Sequence, residues 1–319
     1  MANSVSRVCG AVLIPVVLVA SIGWRVAAIA VNAFYRAFPT AGQLLSKCFN
    51  TMYAGDRSKH ILITLPYSHF CEKVNWACQL SGVPVEEKGY IPIFHNITLW
   101  HTGKNSSTPV MITSQNTVLP QSTDIMRFLK ERNLKKFEKD WIFPCEEAVE
   151  MDARFSEAFG YGHAAFCIVY CYLYGDSLGK HRLREVFQKG VPKWQAACVG
   201  LLWPSVEFIF TRFVNIKSAD FFRKNQTIVN EVWDKVERLL ADGRKNICDT
   251  PEISGADIAF AALSYPLVLP PEMNEKFMAF EKGTIPAQYY DEVKRRRNTA
   301  AGKFILRLYR EHRHRTAIL

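Results

Sequence analysis

The first 55 residues contain no aspartate or glutamate, and their only formal charges are Arg7, Arg25, Arg36 and Lys47. No cysteine pair shows the C-x-x-C spacing, and no His/Cys cluster has metal-ligand spacing, so neither a zinc module nor any other metal site is expected. The nine cysteines are an odd, scattered set, which argues against a disulfide scaffold and suits a reducing compartment. No internal repeat or low-complexity run is present, which excludes a solenoid. No nucleic-acid-binding motif accompanies the formal charge of +10. That charge sits at the two ends: residues 1–55 carry +4 and residues 293–319 carry +8, which leaves −2 for the chain between them. Nucleic acid is therefore not an expected partner.

What is present begins with an apolar stretch. Residues 8–24 carry no charge, and beyond Arg25 the apolar character resumes to residue 31. Three readings compete for it. A signal peptide would use Arg7 and be cut near Ser21, and a transit peptide would explain the missing acids. A retained transmembrane helix over residues 8–31 is favoured, because the basic residues that follow outweigh Arg7 and place the body on the cytosolic side. Targeting to an organelle is the alternative. Sequons at Asn96, Asn105 and Asn225 would matter only for a lumenal body.

Residues 60–82, HILITLPYSHFCEKVNWACQLSG, read as strand, loop and helix. An apolar run stops at Pro66-Tyr67, and a helical period through Phe70, Val74, Ala77 and Cys78 ends at Gly82. Ser68 falls at the helix N-cap. A hydroxyl beside the free N–H groups of a first turn can hold an anion or lower the pKa of a thiol that it donates to. It can equally serve only as a cap. Both readings stay open on the local stretch. After Gly82 the pattern predicts a short strand, an irregular Asn-, Ser-, Gly- and Thr-rich segment to residue 107, a hairpin over residues 108–119 and a helix from Gln121.

Further on, a polar connector over residues 131–140 leads to candidate helices at 145–174, 178–189, 206–213, 219–241, 255–268 and 287–313. The first is breakable at Gly160 and Gly162, and the last near Gly302. Ser254 and Asp257 form a capping box with Ile253 as a staple. In the tail, Phe304, Ile305 and Leu308 share one side amid arginines, which fits a packed last helix or contact with anionic lipid.

With these residues in hand, the chain resembles the glutathione transferase superfamily over about residues 58–285. Ser68-His-Phe-Cys71-Glu-Lys73-Val74 is similar to that family's active-site motif, and equally to a glutaredoxin C-P-Y-C-x-K whose first cysteine is Ser68. Thr108-Pro109 resembles the family's cis X-Pro step, Gln121-Ser122 its γ-glutamyl-binding pair, and Ser254 with Asp257 its capping box. The resemblance implies an α/β thioredoxin-like domain (residues 56–133) followed by an all-α domain (141–290). An anchor and linker (1–55) and a basic tail helix (291–319) lie outside it.

The resemblance also implies glutathione as co-substrate, held by Thr108, Pro109, Gln121 and Ser122, with Ser68 stabilising its thiolate for attack on a small apolar electrophile. The acceptor pocket would draw on Phe159, Tyr161, His163 and Phe166, with His69 as a possible base; core packing is the competing reading for these side chains. Two alternatives stand beside this. Cys71 could carry glutathione-dependent thiol exchange, or the protein could be a non-catalytic, membrane-tethered binding module of the metaxin type. A homodimer is expected from the family habit.

Overall fold

A computed structural model describes residues 58–92, 94–100, 107–133, 140–208, 210–211 and 216–313. The candidate membrane segment at residues 8–31 lies outside the described residues. Among the described residues no helix is long and apolar enough to cross a membrane.

The N-terminal half is built on β1 (His60–Thr64), α1 (His69–Ser81), β2 (Val85–Gly89), α2 (Phe94–Trp100), β3 (Val110–Ile112), β4 (Val118–Leu119) and α3 (Ser122–Asn133). The sheet order is β2-β1-β3-β4. β1 runs parallel to β2, with His60 opposite Val85, and antiparallel to β3, with Ile61 opposite Ile112; β3 and β4 are antiparallel. Alternation along β1 divides the core. Leu62 faces the main core with Val74 and Ile125, while Ile63 faces a second cluster with Leu99, Val110 and Ile112. Both faces are thus covered, as the parallel pairing requires.

α2 is a departure from the sequence reading, which took this region as irregular. Its residue Leu99 is buried against Ile63, so tertiary burial overrides the weak local helix propensity.

The C-terminal half is helical: α4 (Glu146–Ser156), α5 (Tyr161–Tyr174), α6 (Ser177–Phe187), α7 (Lys193–Phe208), α8 (Ala219–Leu240), α9 (Gly255–Val268), α10 (Ala287–Arg297) and α11 (Ala300–His312). The long helix expected over 145–174 divides after Ser156, and Phe159 takes a left-handed φ of +62° in the gap. α7 begins thirteen residues before the expected 206–213 segment and carries Pro204 in its interior, where proline supplies no N–H to the helix. The last helical region divides at Asn298 and Thr299, ahead of Gly302. The Thr299 hydroxyl caps α11 on the Gly302 N–H at 3.1 Å. Gly302 itself is needed for close approach, since a Cβ there would lie 1.9 Å from the Arg296 carbonyl.

α9 is buried along its whole length and is the centre against which α1, α4, α5, α10 and α11 pack. Ser254 and Asp257 close a reciprocal capping box at its start, and Asp257 also accepts from the Ile247 N–H at 2.7 Å. α11 buries Phe304, Ile305, Leu308 and Tyr309, with Tyr309 against Trp76 of α1. Its apolar side is therefore covered by protein.

Candidate functional site

β1 ends at Thr64, and the Leu65-Pro66-Tyr67 loop delivers Ser68 to the start of α1 in extended backbone (φ −75°, ψ 127°). The Ser68 side chain makes no capping bond to the helix, so capping is not what occupies it. Ser68 is half-buried in the wall of a cavity of about 440 Å³ that lies between the two halves of the chain. Thr108 stands in the same wall, and its peptide bond to Pro109 is cis. From the helical half come His163, Phe166, Val206 and Phe210. The volume falls within the range of small-molecule sites, which are largely apolar with few polar groups. A larger open groove of about 1300 Å³, lined by α5, α6, α8 and α10, is remote from Ser68 and carries charges of both signs, among them Lys180, Arg223, Asp291 and Glu292.

Cys71 lies one turn into α1 and is 1 % exposed. Burial pushes its thiol up to about 11, although the Ser68 and Thr108 side chains both hydrogen-bond the sulfur and pull the other way. A thiol held protonated at neutral pH is a poor nucleophile. Cys71 is also absent from the cavity wall that Ser68 and Thr108 share.

Other residues separate from the site. Tyr161 is not a pocket residue: it is buried in the helical core, where its hydroxyl pairs with Ser264 Oγ at 2.5 Å. Gln121 is exposed and Ser122 buried at the start of α3, and neither lines the cavity. Phe159 is 80 % exposed and touches the site only through an edge contact with His163. His163 remains in the wall; burial lowers its pKa and keeps the ring neutral.

His69, expected in a solvent-facing position, is buried within α1. Its Nε2 lies 2.8 Å from the Gly162 carbonyl, which can only accept, so the proton sits on Nε2. Burial, the dominant influence, takes its pKa down to about 4. Its Nε2 proton joins the two halves, and although the ring also lines the cavity, the lowered pKa leaves its Nδ1 a weak base.

Pro92, Val206 and Phe210 were missed from the sequence. They come from two stretches far from Ser68 in the chain, and no local pattern marks them as its neighbours. Among the described residues no group of three or more His, Cys, Asp or Glu side chains could hold a metal.

Residues 62–135 match the family model for the glutathione S-transferase N-terminal domain. Among solved structures, glutathione transferase GSTFuA3 from Phanerochaete chrysosporium is 11 % identical, covering 81 % of this chain and 99 % of its own, with a TM-score of 0.52. CsGST63524 of Ceriporiopsis subvermispora, in complex with glutathione, is 13 % identical over 81 % and 98 %, at 0.48. A Methylobacterium radiotolerans glutathione S-transferase, in complex with glutathione sulfonate, is 13 % identical over 78 % and 94 %, at 0.43. No curated protein matches the chain significantly. The described body thus has the two-part glutathione transferase fold, with residues 62–135 forming a domain of the glutathione S-transferase N-terminal type.

Proposed function

We propose that the protein conjugates glutathione to small apolar electrophiles. The observation that carries this reading is the pairing, in one cavity wall, of the Ser68 hydroxyl with the cis Thr108-Pro109 step, opposite an apolar wall from the helical half. Glutathione lies along the N-terminal domain, with its cysteine backbone on the Thr108 backbone and its γ-glutamyl end toward Gln121 and Ser122. Ser68 Oγ exchanges its bond to the neutral Cys71 sulfur for a charge-assisted bond to the glutathione thiolate, which is roughly twice as strong. The thiol proton leaves to water, and the thiolate sulfur forms a bond to the electrophilic carbon of the acceptor while a leaving group departs from that carbon with its bonding electron pair as an anion to solvent. The apolar wall of Phe166, Val206 and Phe210 supplies positioning. No covalent bond to the enzyme is made.

The acceptor reaches the cavity from a membrane in which residues 8–31 hold the chain, with the body on the cytosolic side. The flanking basic residues support that orientation.

The test compares wild type with Ser68→Ala. Loss of one hydrogen bond to a charged sulfur raises the pKa of bound glutathione by about one to two units. Conjugation near neutral pH is expected to fall about ten- to a hundred-fold. If thiol pKa and rate are unchanged, Ser68 has no part in the chemistry.

The position of Gln121 and Ser122 outside the cavity wall favours one second reading, a tethered module that binds no glutathione. Such a protein would pass through a glutathione-affinity column, whereas the enzyme is retained.

A further inference from the structure

The outward positions of α7 are Trp194, Ala197, Gly200, Leu201, Pro204 and Phe208, which follow one another at helical steps and form one stripe. Trp194 is 62 % and Leu201 70 % exposed, and three of the five large exposed hydrophobic side chains among the described residues lie here. No charge interrupts the stripe. Lys193 stands at its N-terminal end, and exposed Arg184 flanks it, over the Trp203 ring and beside Gly200. Glu207 is bound by Lys180 at 2.5 Å. The rim is therefore positive on balance. At its far end the stripe reaches Phe208, which stays on the exposed side, while Val206 and Phe210, two positions to either side, face the cavity.

We propose that this stripe lies on a bilayer with anionic headgroups. The inference rests on the membrane placement in the proposed function and names the face that meets the lipid. Charge selects the occupant. A second copy in a two-fold contact would bring Lys193 and Arg184 against the same basic rim. The chain's own N-terminal segment, with four basic residues and no acid, meets the same repulsion. Anionic lipid complements the rim, and an exposed Trp suits the headgroup level.

The full-length chain is bound to phosphatidylcholine–phosphatidylserine vesicles whose phosphatidylcholine carries brominated acyl chains, and tryptophan quenching is read. Trp24 and the other indoles are common to wild type and Trp194→Phe, so the difference between them reports Trp194. Wild type is expected to be quenched more than Trp194→Phe. Leu201→Glu is expected to lose that excess while still sedimenting with the vesicles. Equal quenching in wild type and Trp194→Phe, with both on the vesicles, overturns the proposal. A second copy or the N-terminal segment seated on α7 gives that same result. Conjugation of a water-soluble electrophile without vesicles is expected to be the same in wild type and Leu201→Glu. Quenching of Trp194 without any conjugation would leave the lipid contact standing and remove the enzyme reading.

Discussion

Ser68 and Cys71 stand three residues apart, yet α1 gives them opposite chemistry. Ser68 faces the cavity with its hydroxyl free of capping duty, whereas Cys71 is turned inward, where burial keeps its thiol protonated. His69, between them, is turned to the helical half and donates to Gly162. Its folded pKa of about 4 lies below the ordinary 6.5, so the unfolded chain binds the proton more readily. Stability is then fully present above pH 6.5 and falls as the pH drops from 6.5 toward 4. Thermal melts at pH 7 and pH 4.5 are expected to show wild type losing about 2 kcal/mol more than His69→Gln over that interval. Parallel loss in the two proteins would mean that other groups govern acid unfolding.

At the scale of the element, α9 shows how a short motif supports a whole domain. The Ser254 hydroxyl and Asp257 carboxylate satisfy each other's neighbouring N–H groups inside the core, and Asp257 also holds Ile247. Burial raises the Asp257 carboxyl pKa despite these bonds, so its charge depends on every one of them. Ser254→Ala is expected to cost about 1–2 kcal/mol in chemical denaturation, by loss of the cap. Asp257→Ala is expected to cost more, because buried N–H donors are left unpaired. A cost below 0.5 kcal/mol for both would show, against this account, that the box is dispensable.

This capping box was legible in sequence because all of its partners lie within one turn. The same is true of the strand-loop-helix around Ser68 and of the X-Pro step. α7 was not legible: the sequence pattern placed a helix only over residues 206–213, whereas the helix runs over Lys193–Phe208.

At the scale of the molecule, the two halves are joined by polar contacts buried between them. Lys73 of α1 meets Asp152 of α4 at 2.6 Å and Ser156 at 2.8 Å, with both charged side chains nearly inaccessible. The end of the chain returns to α1, where Arg313 pairs with buried Glu72 at 2.7 Å. These contacts give α11 a structural role, so the basic tail is not free to lie on lipid with its apolar side. Our proposal therefore places membrane contact at α7 and at the apolar stretch of residues 8–31, and not at the tail. With the body on the cytosolic side, as proposed, the sequons at Asn96, Asn105 and Asn225 would go unglycosylated. The protein made in eukaryotic cells is expected to show no mobility shift with an N-glycosidase, and a shift would place the body in the lumen.

The order of the elements apart from α2 and α7, the candidate serine, the X-Pro step and the capping box followed from the sequence alone. Each depends on φ/ψ preference, periodicity or hydrogen bonds within a few residues. Only the tertiary structure decided which side chains share the cavity, that Cys71 and His69 are buried, and that Tyr161 belongs to the core. Burial and pKa depend on what packs against a residue, and for His69 that partner is 93 positions away. No local pattern carries such a distance.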